Sequence, residues 1–168
     1  MNSARQDILE KLKKPRINIP EKPDFEAPVF HPTDEPPELI FKHSLEAVNG
    51  TAHIFRTEEE LGPALKSFVS RFAVNTLFCN ESPVGELLHT HNIEFSSGNN
   101  YPENIAAGIT GCEMLIAHTG SVMVSSAQQG ARKLFVFPEI HIVIAQKKQL
   151  VVYLEEAYDA MARKYRNS

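Results

Sequence analysis

Mostly apolar segments of strand length alternate with helical segments from about residue 38 onward, and this alternation constrains the fold most. Residues 38–48 repeat apolar side chains at helical spacing, whereas residues 74–79 and 140–145 are short, mostly apolar runs. Strands that alternate with helices at this spacing are typical of βαβ units, whose strands run parallel. We therefore predict an α/β fold built around a mainly parallel sheet.

Other segments carry local signals for a strand, a helix start, a turn and a further helix. Residues 51–56 alternate in polarity like a short strand, and the helix that follows is predicted to start near Gly62, because Pro63 is tolerated in a first turn. Residues 118–121, His-Thr-Gly-Ser, join two apolar runs and predict a hairpin or a sharp bend. Residues 154–166 have the periodicity of an amphipathic helix.

The N-terminal segment is predicted to be separate from the α/β domain. Residues 3–14 predict a short amphipathic helix with Ser3 as its N-cap. From Pro15 to Pro37 the chain carries seven of its 11 prolines and no apolar periodicity. We predict a helix and Pro-rich arm over residues 1–37 and an α/β domain over 38–168. The arm is either an extended element that lies on the domain or a partner, or a flexible linker.

Composition and charge exclude several classes of function. Hydrophobic residues make up 42% and charged residues 23% of the chain, as in ordinary globular proteins, and the net charge is -4. This balance lacks the clustered positive charge of nucleic-acid-binding proteins. No segment is long and apolar enough to span a bilayer, and the N-terminus lacks the apolar run of a secretory signal. We expect a cytoplasmic protein with no membrane span and no nucleic-acid partner.

The cysteine count limits the redox chemistry of this sequence. Cys79 and Cys112 are its two cysteines, and they lie far apart in apolar surroundings. Iron–sulfur clusters are usually held by four cysteine thiolates, which this sequence does not supply. We therefore expect no cofactor bound by this chain, so that any redox step uses the cofactor of a partner or a diffusible one.

A polar segment between Gly108 and His141 is the candidate ligand site. Glycine-containing turns at strand ends let backbone N–H groups converge on an anion, and an arginine adds a bidentate donor for carboxylate or phosphate. The alternative is an ordinary hairpin turn with a surface arginine. The candidate ligand-binding residues are Thr110, Gly111, Thr119, Gly120, Ser121, Arg132 and His141.

The same segment resembles a known family. The motifs Ile109-Thr110-Gly111-Cys112, Ile116-Ala117-His118-Thr119-Gly120-Ser121, Gly130-Ala131-Arg132 and Pro138-Glu139-Ile140-His141 occur in the order typical of the LUD domain of the lactate-utilization protein C family. The resemblance covers most of the chain except the Pro-rich arm and residues 80–104.

The resemblance implies a fold and a role. The fold is a three-layer α/β/α arrangement, similar to the sugar-phosphate isomerase and CoA-transferase group. The role is that of an accessory component in the oxidation of L-lactate to pyruvate, alongside cysteine-rich and iron–sulfur subunits, with a small carboxylate or phosphate-bearing ligand. Two alternatives stay open: a stand-alone enzyme for a sugar phosphate, acyl-CoA or folate-like substrate, and an interaction module that docks through its Pro-rich arm.

Histidines are the candidate catalytic residues. His118 stands where the family has a glutamate, and an imidazole cannot form the acyl anhydride of a CoA-transferase glutamate. His118 and His141 can each act as acid, base or hydrogen-bond partner, or else be structural. His89 and His91, two apart on a predicted helix, point to different faces, so we expect no metal site there.

Overall fold

The computed structural model describes residues 4–13, 21–24, 34–71, 77–98, 105–128 and 132–166. The chain divides into two compact units, residues 1–34 and 35–168. The division into domains at residue 37 stays a prediction. Several predicted features lie outside the described residues: the Ser3 cap, most of the Pro-rich arm, residues 74–76 of the first strand, and Gly130-Ala131.

In the first unit, a helix follows the predicted N-terminal pattern. Helix α1 covers Ala4–Lys13 and leaves Ile8, Leu9 and Leu12 exposed. Residues 21–24 are described without regular secondary structure.

The second unit carries the remaining helices. The described helices of this unit are α2 (Pro37–Ala47), α3 (Glu58–Val69), α4 (Ser82–Thr90) and α5 (Leu154–Tyr165), with 3₁₀ helices at Arg132–Phe135 and Lys147–Gln149. Within the described parts of the chain, none of the helices combines the length and apolar character needed to cross a membrane.

A parallel sheet of three strands positions the candidate site. It runs in the order β1 (Leu77–Phe78), β2 (Ala107–Thr110) and β5 (Ile140–Val143). Gly108 lies opposite His141, and all described pairs in this sheet are parallel. Strands β1 and β2 are buried along their length, as parallel strands covered on both faces are.

Alternate residues of this sheet point to two hydrophobic clusters. On one face Ala107 and Ile109 pack with Leu88 of α4 and Leu65 of α3. Because successive side chains of a strand point to opposite faces, Phe78 belongs to the other face, where it clusters with Ile105 and Leu134. Leu134, from the 3₁₀ helix Arg132–Phe135, is fully buried there.

A second sheet of three strands follows in the order β4 (Ser121–Met123), β3 (Met114–Ile116) and β6 (Leu150–Val151). Strands β3 and β4 form an antiparallel hairpin, and β3 and β6 pair in parallel. The hairpin predicted at His118–Ser121 is confirmed, as is the C-terminal helix. Pairing is mainly parallel, and helices flank the sheet, so the predicted α/β fold is confirmed.

Two local predictions are wrong. Residues 51–56 form no strand, because none of the described strands pairs with them; Ile54 is 53% exposed. Helix α3 begins at Glu58 rather than near Gly62 and contains Pro63 in its interior. The Thr57 hydroxyl accepts a hydrogen bond from the Glu60 N–H, and the Glu60 carboxylate accepts one from the Arg56 N–H. These capping bonds offset the single backbone bond that Pro63 cannot donate.

Candidate functional site

Three polar or glycine residues, Glu81, Thr110 and Gly111, lie where strands β1 and β2 end. In open α/β sheets ligands bind beside the carboxyl ends of parallel strands, because loops diverge there and leave a crevice. Strand β2 ends at Thr110-Gly111, and Glu81 follows β1 as the N-cap residue of α4. This edge is therefore the place where the fold can expose chemistry.

Thr110 and His141 form the closest side-chain pair of the predicted site. The Thr110 hydroxyl oxygen lies 2.7 Å from Nε2 of His141 and donates to the Gly111 carbonyl at 2.9 Å. Thr110 is fully buried, His141 is half-buried, and the Phe135 ring lies 6.0 Å from the imidazole. Burial lowers the pKa of His141 from its usual value, which favours the neutral ring.

Glu81 reaches across from the end of β1 to the end of β2. Its Oε2 accepts a hydrogen bond from the Gly111 N–H at 3.0 Å, and a Cβ at Gly111 would lie 2.8 Å from that oxygen. A larger residue at position 111 would therefore require the Glu81 carboxylate to shift. Among the described residues no group within hydrogen-bonding distance satisfies the buried Oε1. Burial raises the pKa of Glu81; the charge of Glu113 raises it further, whereas the Gly111 and Gln128 hydrogen bonds lower it.

Glu113 is a second buried carboxyl with a different environment. It accepts hydrogen bonds from Tyr165 at 2.6 Å and Ser125 at 2.7 Å and forms an ion pair with Lys164. Burial by itself raises the pKa of Glu113, but these hydrogen bonds outweigh burial, and the pKa is lowered. Glu113 is therefore a fixed negative charge beside Cys112.

The Cys112 thiol is buried within the electrostatic influence of the two carboxyls. Burial, together with the negative charges of Glu81 and Glu113, raises the pKa of Cys112 to about 12. Burial also raises the pKa of Cys79. Because thiolates are the reactive and metal-binding form, neither cysteine is set up as a nucleophile.

The hairpin tip, residues 117–120, lies against α2. Ser44 of α2 donates a hydrogen bond to the His118 carbonyl at 3.3 Å, and Thr119 donates to Ser121 at 2.8 Å. Gly120 has a φ of 63°, and a Cβ there would lie 2.6 Å from the carbonyl carbon of Ser44. The tip is thus a tight structural contact with α2.

Comparison with known proteins places the chain in a family. Residues 39–168 match the family model of the LUD domain. The chain belongs to the LUD domain family.

Two relatives give the extent of the similarity. Lactate utilization protein C of Deinococcus radiodurans is 34% identical over 61 residues, which are 36% of this chain and 29% of that protein. The match thus spans less than a third of that relative's length. The crystal structure of a DUF162 family protein from Deinococcus radiodurans matches with a TM-score of 0.62 and 20% identity, covering 77% of this chain and 80% of that one. At that identity the structural likeness shows the fold of the LUD domain alone.

The structure distributes the predicted ligand-binding residues over this LUD domain in three places. Thr110, Gly111 and His141 come together at β2 and β5. Thr119 and Gly120 lie in the hairpin tip of the second sheet, and Ser121 is the first residue of β4. Arg132 is exposed at the start of its 3₁₀ helix. The 3₁₀ helix that carries Arg132 packs beside His141 through Phe135, but among the described residues no hydrogen bond or ion pair joins the three places, and their shared role in ligand binding stays a prediction.

His118 is placed beside an aromatic ring of the following segment. Its ring centroid lies 5.7 Å from that of Tyr153, and its carbonyl accepts the Ser44 hydrogen bond. This placement accounts for a structural role of His118 in the LUD domain. A catalytic role for His118 stays a prediction.

Sequence analysis of the LUD domain did not identify Glu81 and Glu113. Each lies three residues beyond the last residue of a strand of the parallel sheet, β1 or β2. An acidic residue a few positions beyond an apolar strand was the available signal, because the carboxyl ends of parallel strands meet at one edge of the sheet.

A shallow, open cleft of about 240 Å³ lies beside Glu81 at the start of α4 of the LUD domain. Glu86 and His89 also line it, and the His89 ring lies 5.0 Å from the Phe95 ring. His91 instead packs against Gly62 of α3, so His89 and His91 point to different places. The described residues contain no cluster of three or more His, Cys, Asp or Glu suited to a metal ion.

Proposed function

We propose that this chain is an accessory component of lactate utilization, the oxidation of L-lactate to pyruvate, acting in the cytoplasm with cysteine-rich and iron–sulfur partner subunits. The observation that carries the proposal is the 34% identity to lactate utilization protein C over 61 residues. The match to the LUD domain over residues 39–168 supports it. The chain itself binds a small carboxylate or phosphate-bearing ligand in this proposal.

The chemistry of the two cysteines supports an accessory role. Both thiols are buried, and both have raised pKa values, so their metal-binding thiolate forms are disfavoured. Electrons removed from lactate would therefore pass to the clusters of a partner rather than to a group held by Cys79 or Cys112. We propose that this chain binds no cofactor of its own.

The ligand site in this proposal is the face of the parallel sheet that carries Thr110 and His141, beside the 3₁₀ helix Arg132–Phe135. Thr110 and His141 supply a hydroxyl and a neutral imidazole, and Arg132 supplies an exposed cation on the segment that packs over the same sheet face. A guanidinium binds carboxylate and phosphate in a bidentate manner. These groups suit a small organic acid.

Gene deletion and complementation test the role. A strain that lacks the gene should lose growth on L-lactate and keep growth on pyruvate, the product of the oxidation. Re-expression of the wild-type chain should restore growth on lactate. Unimpaired growth of the deletion strain on L-lactate, in a background with no second lactate oxidase, would contradict the proposal.

Affinity purification tests the partners. The tagged full chain, purified anaerobically from lactate-grown cells, should bring down cysteine-rich and iron–sulfur proteins. The eluate should then show broad visible absorbance, which the chain purified alone should lack. A colourless eluate that contains only this chain would contradict the accessory role.

The two buried carboxyls favour a second candidate, a stand-alone enzyme. The pKa of Glu81 is raised and that of Glu113 is lowered, and such opposite shifts in neighbouring groups are typical of acid–base pairs. If this candidate is correct, CoA or sugar phosphates should raise the Tm of the isolated chain, since a ligand of the folded state stabilises it.

A further inference from the structure

The hydrogen bonds of Thr110 determine the tautomer of His141. A threonine hydroxyl has one proton, and Thr110 donates it to the Gly111 carbonyl. With the hydroxyl proton directed to Gly111, the 2.7 Å contact between the Thr110 oxygen and Nε2 of His141 requires the tautomer in which the imidazole donates from Nε2, and we assign this tautomer to the neutral ring. The neutral ring therefore carries its proton on Nε2, and Nδ1 has a lone pair.

Nδ1 of His141 is available to a ligand. Within the described residues no hydrogen bond to Nδ1 is formed. The buried side-chain atoms that lack a partner there are Glu38 Oε2, Glu81 Oε1 and His91 Nε2, and Nδ1 is not one of them. The imidazole is half-buried, and Nδ1 is its ring nitrogen without a hydrogen-bond partner among the described residues.

The 3₁₀ helix Arg132–Phe135 borders the same imidazole. Gly108 lets the chain after this helix pass close to β2, since a Cβ there would lie 2.8 Å from Cγ of Pro138. The Phe135 ring is held 6.0 Å from the His141 ring. Positions i and i+3 of a 3₁₀ helix lie on the same side, so Arg132 leaves the helix on the side of Phe135. Among the described residues, no carboxylate forms an ion pair with Arg132.

We propose that Arg132 and His141 form a subsite for a 2-hydroxycarboxylate that disfavours the corresponding 2-oxo acid. This proposal rests on the proposed function and names the state of the substrate that the chain binds. The guanidinium binds the carboxylate, and the ligand hydroxyl donates to Nδ1. A 2-oxo acid would instead place a carbonyl oxygen against the Nδ1 lone pair, where two acceptors repel and no hydrogen bond forms.

Thr110 is a positioning residue in this subsite. It touches no ligand but accepts the Nε2–H and so keeps the lone pair on Nδ1. Valine has nearly the shape of threonine and no hydroxyl. In Thr110→Val the ring is free to carry its proton on Nδ1, which then donates to a carbonyl oxygen. The substitution should therefore change the preference between the ligands more than the fold.

Isothermal titration of the full chain with L-lactate and with pyruvate tests the proposal. At a pH of about 8, where an imidazole is neutral, wild type should bind L-lactate about tenfold more tightly or better. Thr110→Val should bring the ratio of the two Kd values close to one. Arg132→Ala should weaken both ligands, and Lys133→Ala, its neighbour, should change neither by more than about twofold.

The outcomes separate this proposal from the proposed function. Equal binding of the two acids by wild type, binding of neither, or a preference that survives in Thr110→Val with an unchanged circular dichroism spectrum would each overturn the subsite. A confirmed preference in a chain whose deletion leaves growth on L-lactate intact would leave the subsite standing and remove the proposed function.

Discussion

Lys164 and Glu113 join the last turn of α5 to the residue that precedes β3. The Lys164 ammonium lies 2.5 Å from Oε2 of Glu113, whose side chain is 3% exposed, whereas Lys164 is itself largely exposed. Tyr165, also in the last turn of α5, donates to the other carboxylate oxygen. One buried carboxylate thus ties the C-terminal helix to the second sheet.

Removal of this cation should weaken the fold. Lys164→Met leaves the buried Glu113 with its two hydroxyl donors and no countercharge, so the free energy of unfolding should fall by about 1–2 kcal/mol. Lys148→Met is the control, because Lys148 is exposed in the 3₁₀ helix Lys147–Gln149 and should change stability by less than about 0.5 kcal/mol. Urea unfolding measures both. An equal loss in the two variants would argue against the ion pair.

Glu113 should contribute to acid unfolding. Its folded pKa lies below the usual value, so the stability it supplies is present above the unfolded pKa and is lost as the pH falls through the folded pKa. In Glu113→Gln this pH dependence should be absent. The difference in unfolding free energy between wild type and variant should therefore be largest near neutral pH and shrink toward about pH 3. A constant difference over that range would contradict the shift.

Glu81 should behave in the opposite way. Because burial raises its folded pKa, its stability contribution is full below the unfolded pKa and is lost as the pH rises through the folded pKa. Glu81→Gln keeps an oxygen for the Gly111 N–H and removes the buried charge. The Tm of the variant should exceed that of wild type by about 2–5 °C near pH 8 and should not do so near pH 4. A lower Tm at both values would contradict this account.

Alanine substitution at Gly120 and at Gly98 compares two glycines that share a positive φ but differ in the space available for a Cβ. Both have positive φ, 63° and 106°, but a Cβ at Gly120 would overlap the backbone of Ser44 and Leu45, whereas a Cβ at Gly98 would meet no atom of the described residues within 4 Å. Gly120→Ala should cost about 2–4 kcal/mol and Gly98→Ala about 1 kcal/mol. Thermal or urea unfolding measures the loss in the free energy of unfolding for each variant. Equal losses would show that α2 does not pack closely against the hairpin tip.

The two thiols should be unreactive in the folded chain. Cys79 and Cys112 are buried with raised pKa values, so a thiol-specific disulfide reagent at pH 8 should label neither within minutes. In denaturant the reagent should label both cysteines of the sequence, because unfolding exposes the thiols. Rapid labelling of Cys112 without denaturant would contradict its burial near Glu81 and Glu113.

Local chemistry made part of this fold predictable. The Thr-Gly dipeptide between two apolar runs fixed the position of the hairpin, since glycine accepts the positive φ of such turns. The C-terminal helix followed from its periodicity. The prediction of a strand at 51–56 was wrong because alternation of polarity does not indicate whether a neighbouring strand is there to pair with.

The site was less predictable than the fold. Thr110 and His141 are 31 positions apart, and only the register that sets Gly108 opposite His141 brings them together. Glu81 and Glu113 belong to no spaced motif, and their roles arise from burial, which depends on tertiary packing. The preference of proline for a first turn predicts too late a start for α3, because the two capping bonds at Thr57 and Glu60 hold the helix start at Glu58.

The contact between Ser44 and the hairpin tip has a consequence for how the chain assembles. Their hydrogen bond joins residues 74 positions apart, and the intervening segment contains α3, α4, β1 and β2. Closing so long a loop carries an entropic penalty that a local hairpin avoids, and long-range contacts of this kind slow folding. We therefore expect the contact between the tip and α2 to form later in folding than the local hairpin of β3 and β4.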